Sequence, residues 1–564
     1  MSWAWLLAVP VVLALFLGGL GRTSLVEPDE GRYADIPSEM LASGDLVTPR
    51  LNGVLYFEKP PLYYWLEAAA MRLVGRNETA ARLPSALLGL AGLSLAYGLG
   101  RSLAGRQAGA TAALLAGTAP LYLVLARVNT IDMTASFFLS LTLACFWWSH
   151  RRPDAGKRQL LWLATFAAAG LAVMSKGLIG VVLPGGIIAA YVLATWQWRL
   201  LRQVPWLAGP LVFLAVAAPW HLVMARRHPS FLWFYFVHEH FLRYATPEAG
   251  RWQPAWFFLP VLAVGLLPWS GLVVAAAPLS WKGDPARRRG AFFLALWALV
   301  IVAFFSASQS KLATYVLPAV LPLAVLGALA LAAAREAERP SALLRWGTAA
   351  GALLFALLAA AGLWVALGRV PKLVPPGAAG MATVPLAVAA VSALAGVVAA
   401  ARGRRRGATA LLAVAAACWC GALVLLSPLV GERRSADRLA DLLRRRLARG
   451  AEVVAFGGFP ESLGFYLQRR IPLVSYHGEL DWGASQLSQA ERRRYFPSTP
   501  EFLPRWRSPQ PTYLVVKDAL LRRMRAEGIE PGPLLGEQGG RLLFANPAAA
   551  AAGAAAPPAA GSPP

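Results

Sequence analysis

Two short runs near the start of the chain combine carboxylates and cations in a pattern suited to phosphate chemistry. They read Glu27-Pro28-Asp29-Glu30-Gly31-Arg32-Tyr33-Ala34 and, further along, Tyr56-Phe57-Glu58-Lys59-Pro60-Pro61-Leu62. Other charged groups stand at isolated points between apolar runs: Arg127 with Asp132, Lys176, His238-Glu239-His240 with Arg243, and Lys311 with Tyr315. Displacement at the carbon of a glycosyl phosphate builds charge on the departing phosphate, so cations fixed in advance help most. Lys59, Arg127, His240, Arg243 and Lys311, with Tyr315 as a hydroxyl donor, are the candidate donor-phosphate ligands. Asp29, Glu58 and Asp132 are the candidate catalytic carboxylates. Asp29 would position an acceptor or take its proton, and Glu58 would support Lys59 or a metal. Glu27, Glu30, Arg32, Tyr33, Tyr56 and Lys176 would position the acceptor or the loop.

Each group also has a plainer reading. Loop carboxylates are usually solvated, and Arg127 and Lys176 can snorkel to lipid headgroups. The aromatic run Phe231 to Phe236 fits an interfacial belt. His238 and His240, two apart, do not share a helix face and would not ligate one metal from a helix. What favours a site is that these groups all fall on one side of the membrane once the chain is threaded through it.

The elements that must position them are membrane helices. Of 564 residues, 57% are hydrophobic and only 15% are charged, and the mean hydropathy is +0.51. That is too apolar for a soluble domain of this size. The net charge of +25 is confined to short connections. This suits lipid headgroups and phosphates and argues against a nucleic-acid partner, because each Arg cluster is flanked by membrane-length runs. Cys145, Cys418 and Cys420 lie inside apolar runs and read as small buried hydrophobes.

At about 20 residues per span, thirteen runs qualify: 3–21, 79–100, 107–126, 132–149, 159–175, 178–197, 205–225, 254–280, 290–307, 312–334, 342–367, 380–401 and 407–429. Alternate connections are basic: Arg101 to Arg106, Arg151 to Arg158, Arg199 to Arg202, Lys282 to Arg289, Arg335 to Arg345 and Arg402 to Arg406. By the positive-inside rule these face the cytoplasm. Residues 22–78, residues 226–253, the turn at Lys311 and the C-terminal region then lie outside. Within the first outer loop, Ala34 to Ser43 and Leu62 to Val74 are expected as amphipathic helices in the interface plane. After Pro428, strand-like runs at Glu452 to Ala455, Pro472 to Tyr476 and Thr512 to Val516 alternate with helical patterns. The expected architecture is therefore an all-α polytopic membrane domain over 1–430, a small α/β periplasmic domain over 431–546, and a disordered Ala/Pro-rich tail over 547–564.

Taken together, the first loop with Met40-Leu41-Ala42-Ser43-Gly44-Asp45, Met174-Ser175-Lys176-Gly177, Pro219-Trp220, Glu239-His240-Phe241-Leu242-Arg243-Tyr244, and Phe304-Phe305-Ser306 leading to Lys311-Leu312-Ala313-Thr314-Tyr315 resembles the lipid A aminoarabinose transferases. These belong to a broader group of polyprenyl-phosphate-sugar glycosyltransferases with the membrane GT-C fold, related to protein O-mannosyltransferases. Several motifs in one order are more specific than any alone. The chain departs from the pattern at Gln309, where the family often carries a second Lys. The resemblance implies undecaprenyl-phosphate 4-amino-4-deoxy-L-arabinose as donor, a lipid A phosphate as acceptor, a divalent metal near Glu58, and a bacterial inner-membrane location with the site facing the periplasm. Two rivals remain: a related enzyme with a protein or glycan hydroxyl acceptor, and a lipid-linked-sugar transporter. A transporter would keep its ionisable groups at the membrane midplane, whereas here they cluster at span ends.

Overall fold

The computed structural model describes residues 4–246, 250–280, 284–336, 341–369, 380–447 and 450–554. Lys282, residues 337–340 of the expected basic loop Arg335 to Arg345, and residues 555–564 of the tail lie outside them. The chain divides into two compact units. One comprises Met1–Leu20, Glu58–Tyr63 and Arg82–Leu426, and the other Gly21–Phe57, Tyr64–Ala81 and Ser427–Pro564.

The first unit is helical. Among the described residues, 9 helices are long and apolar enough to cross a membrane, from Glu78–Gly117 to Arg405–Arg434, with shorter apolar helices at Ile179–Thr195 and Ala255–Gly265. Several expected runs are divided differently. The helix Glu78–Gly117 contains a break at Ala104 and Gly105, and Pro120–Arg127 follows as a separate helix. The run 254–280 separates into Phe258–Gly265 and Ser270–Ser280. Pro268 lies between them, and a proline has no N–H with which to continue the ladder. The run 312–334 opens as a 3₁₀ helix, Ala313–Ala319, before the α-helix Val320–Glu336. Large side chains fill the core: Trp147 stacks on Phe293 with ring centroids 5.2 Å apart. Leu211, Leu299 and Val391 are exposed on the outer surface, as befits helices whose solvent is hydrocarbon.

The second unit joins residues 21–57 and 64–81 to the C-terminal region. Strands β1 (Arg50–Leu51) and β2 (Val54–Leu55) form a small antiparallel pair. Strands β3 (Glu452–Phe456), β4 (Leu473–Val474), β5 (Thr512–Lys517), β6 (Leu534–Gln538) and β7 (Arg541–Ala545) form one sheet in the order β4-β3-β5-β7-β6. β3 runs parallel to both β4 and β5, and β7 is antiparallel to β5. Val454, Phe456, Val474, Leu514, Val516 and Phe544 supply its core. The three expected strand runs are β3, β4 and β5; β6 and β7 complete the sheet.

The helix expected over Ala34 to Ser43 begins at Asp29, and Ala34 and Ile36 are fully buried in it. It packs on the helix Glu461–Leu467, so closely that a Cβ at Gly31 would lie 2.5 Å from the Ser462 nitrogen. It is a core element of the second unit and not a helix floating in a lipid interface. From Pro547 the chain forms a helix to Ala554, in contact with β5 and β7, where a disordered tail was expected.

Candidate functional site

Within the membrane unit, four charged side chains converge. Lys59 precedes Pro60, which disfavours helical backbone at Lys59, and the next helix starts only at Leu62. Glu58 and Lys59 are thus carried on a bent, non-helical link. Their partners come from a π-helical segment, Trp233–Leu242, and the turn that follows it. Such segments recur at functional sites.

Lys59 Nζ donates to the Glu58 carbonyl at 2.8 Å and to Glu239 Oε2 at 3.2 Å. Arg243 Nη1 donates to Glu239 Oε2 at 2.7 Å and to Glu58 Oε2 at 3.1 Å. Burial opposes ionisation of Glu239, but Lys59 and Arg243 outweigh it and hold its carboxyl at a pKa of about 2. The two carboxylates therefore pin two charged cations in place. Both take the same guanidinium nitrogen, so Arg243 Nη2 and Nε make no hydrogen bond among the described residues, and Lys59 keeps one N–H in reserve.

A second group lies along Asp132, Lys176 and Tyr315. Thr130 caps the helix Ile131–Ser149 and accepts from the Asp132 N–H, placing the Asp132 carboxylate in the first turn, where the helix dipole favours it. Lys176 ends the helix Ala155–Lys176 and pairs with Asp132. Its amine also stands 4.8 Å over the Tyr315 ring. The Tyr315 hydroxyl lies close enough to Arg243 to act on it electrostatically, so the two groups are neighbours. Gly177, at φ 79°, ends the Lys176 helix where any Cβ would collide with the His240 ring.

Other candidates have different places. His240 Nδ1 donates to the Tyr235 carbonyl at 2.5 Å and Nε2 accepts the Leu178 N–H at 3.1 Å. Burial holds its pKa at about 4. With both nitrogens engaged, this neutral ring braces the Gly177 turn and has nothing left for a phosphate. Arg127 donates to the Leu15 and Gly18 carbonyls at 2.6 and 2.7 Å, closing the end of the first helix, whose last carbonyls have no helical partner. Lys311 is buried and donates to the Ser308 carbonyl at 2.5 Å.

In the second unit, Glu27 is buried and bonded to Ser462 and Arg541, which makes it an internal strut. Glu30 accepts the Val26 N–H at 2.8 Å. Arg32 reaches Glu479 at 2.7 Å and Asp29 at 3.4 Å. Tyr33 lies against Tyr64, and Tyr56 is buried. Asp29 keeps 56% of its side chain exposed, the most open of the candidate catalytic carboxylates.

Glu239 stands in the His238-Glu239-His240 run with Arg243, but the sequence reading gave it no role of its own. Its spacing of four from Arg243, an ion-pair interval on a helix, was the available signal. A metal does not fit the site: among the described residues no three His, Cys, Asp or Glu side chains converge, and the Glu58 carboxylate is held by Arg243.

Comparison with known proteins extends the geometry. Residues 58–222 match the family model of dolichyl-phosphate-mannose-protein mannosyltransferase, and residues 439–546 that of the aminoarabinose transferase C-terminal domain. Over 325 residues the chain is 37% identical to undecaprenyl phosphate-alpha-4-amino-4-deoxy-L-arabinose arabinosyl transferase 2 of Pseudomonas fluorescens, a match covering 57% of this chain and 55% of that one. With the corresponding transferase of Pseudomonas aeruginosa it shares 35% over 323 residues, 57% of this chain and 58% of the relative. The chain thus spans little more than half the length of these curated relatives in the matched region.

The crystal structure of ArnT from Cupriavidus metallidurans bound to undecaprenyl phosphate is similar with a TM-score of 0.81 and 32% identity, over 97% of this chain and 98% of that one. The archaeal oligosaccharyltransferase AglB from Archaeoglobus fulgidus shares the fold alone, at a TM-score of 0.51 and 13% identity, over 93% of this chain and 71% of that one. The protein is a multi-pass membrane protein with a GT-C helical unit and a small C-terminal α/β sheet. With likeness at that identity along nearly the whole of both chains, it belongs to the aminoarabinose transferase (ArnT) family.

Proposed function

We propose that this protein transfers 4-amino-4-deoxy-L-arabinose from undecaprenyl phosphate to a phosphate of lipid A at the periplasmic face of the inner membrane. The observation that carries this reading is the Glu58, Lys59, Glu239 and Arg243 cluster, in which two half-buried cations are held in place yet keep N–H donors for a ligand. The names of the arabinosyl transferase relatives and the undecaprenyl phosphate bound to the Cupriavidus relative support the donor.

In the reaction, the bond from the sugar's anomeric carbon to the donor phosphate oxygen breaks and its electron pair stays on undecaprenyl phosphate. An oxygen of the acceptor phosphate forms the new bond to that carbon. Lys59 and Arg243 stabilise the charge growing on the leaving phosphate, and because they are preorganised they need not rearrange to do so. Tyr315, beside Arg243, donates its hydroxyl to the same phosphate, and the Asp132–Lys176 pair fixes the neighbouring wall. A phosphate monoester, with a second pKa of about 6, is already ionised at neutral pH. Asp29 then serves to orient the acceptor or the aminosugar's ammonium. A hydroxyl acceptor, the chemistry named by the mannosyltransferase model over residues 58–222, would require Asp29 as a true base.

Purified full-length protein in detergent, given undecaprenyl-phosphate aminoarabinose with either lipid A or a serine-containing peptide, tests the reading. Product on lipid A alone is expected. Product on the peptide alone would overturn the acceptor, and no product on either would overturn the transferase reading.

A further inference from the structure

The second unit contains a cavity of about 460 Å³ whose lining includes Gly457, Gly458 and Phe459, which follow β3, and Lys517, which ends β5. β3 and β5 are adjacent parallel strands, and the chain leaves β3 towards β4 on one side before returning to β5 on the other. This is a topological switch point, and in open sheets of this kind ligands bind in the crevice outside the carboxyl ends of the strands. The cavity opens at that place.

Its charges indicate the ligand. Arg32, Arg433, Arg434, Lys517 and Arg541 line it against the carboxylates Glu27, Glu461 and Glu479. Arg541 is committed to Glu27, and Arg32 to Glu479. Arg433, Arg434 and Lys517 form no ion pair among the described residues, so the cavity holds uncompensated positive charge. A bare phosphate is far smaller than this volume, which falls in the range of small-molecule sites. Tyr476, His477 and Glu479 on one wall supply hydrogen-bonding groups for hydroxyls, and Phe459 supplies a flat apolar face.

We propose that this cavity is a binding site for a phosphorylated sugar, with Arg433, Arg434 and Lys517 taking the phosphate and the Tyr476 to Glu479 wall taking the saccharide. The inference rests on the sheet and its cavity and stands apart from the transfer reaction. The phosphosugar can be free in solution or the headgroup of a glycolipid.

Titration calorimetry of the full-length protein with glucosamine 1-phosphate tests the first source. Titration calorimetry of the protein held in phosphatidylcholine nanodiscs, with and without lipid A in the titrant, tests the second. Saturable binding in at least one arm is expected, weakened tenfold or more by the double variant Arg433→Glu with Lys517→Glu and unchanged by Lys59→Ala in the membrane unit. Lys517→Gln, at an exposed strand end, is the second variant should the double one misfold, and it should weaken binding severalfold. Binding in neither arm would overturn the proposal. So would cavity variants that bind as wild type does, or loss of binding in Lys59→Ala alone.

Discussion

Arg243→Lys separates two roles that the geometry assigns to one side chain. Both carboxylates contact Nη1, at 2.7 Å for Glu239 and 3.1 Å for Glu58, so a lysine amine at that point preserves the ion pairs. What it removes is the remainder of the guanidinium fork, the Nη2 and Nε donors left for the donor phosphate. A hydrogen bond to a charged group contributes about 1.5 to 3 kcal/mol, so kcat/KM for the donor should fall roughly 10- to 150-fold at 1.4 kcal/mol per tenfold. The melting temperature should stay near wild type. Arg243→Ala should lose both: breaking a buried pair costs about 3 to 5 kcal/mol, and with 24% of the Arg243 side chain exposed the cost falls at or below the lower end. Initial rates against donor concentration in detergent, paired with thermal melts, measure both effects. Wild-type kcat/KM in Arg243→Lys would refute the reasoning and reduce Arg243 to a counter-charge.

Arg541→Met leaves Glu27 buried without its cation, so the second unit should lose about 3 kcal/mol or more, visible as a lower melting temperature; an unchanged melt would show that the strut is dispensable. Glu461 is raised by burial and by Glu27, against Arg32, from 4.5 to a pKa of about 8. The folded state therefore holds a proton that the unfolded state has released, and this stability is present below pH 4.5 and lost as pH rises towards 8. Melting temperature should fall across that window, and Glu461→Gln should flatten the fall; equal slopes in both proteins would contradict the assignment. Asp29→Asn, at neutral pH, should slow transfer to lipid A without abolishing it, because an ionised phosphate needs no base. A dead variant would point to a hydroxyl acceptor.

How much the sequence disclosed depended on how local the physics was. Membrane-length apolar runs located most helices, since hydrocarbon thickness sets a minimum length, but the break at residues 266–269 required attention to a single proline. Glu58 and Lys59 were legible in the first-loop motif, and Glu239 with Arg243 as charges between apolar runs. The role of Glu239 was not legible, because it arises from Lys59, 180 positions away. Glu27 was read as positioning the acceptor or the loop and is instead an internal strut, because its partner Arg541 lies 514 positions along the chain. For the same reason the amphipathic pattern of Ala34 to Ser43 suggested a lipid interface, when the surface it covers is the helix Glu461–Leu467. His240 carried the right residue type beside the right motif, and only three-dimensional contacts revealed that both of its nitrogens are engaged.

The central claim, transfer of an aminosugar to lipid A, is tested most directly by mass spectrometry of lipid A from cells that express the protein, cells that lack it, and cells that carry Arg243→Ala. Lipid A bearing a 4-amino-4-deoxypentose on phosphate is expected in the first, and its absence or steep reduction in the other two. Identical lipid A in all three, in cells shown to contain the undecaprenyl-phosphate donor, would contradict it.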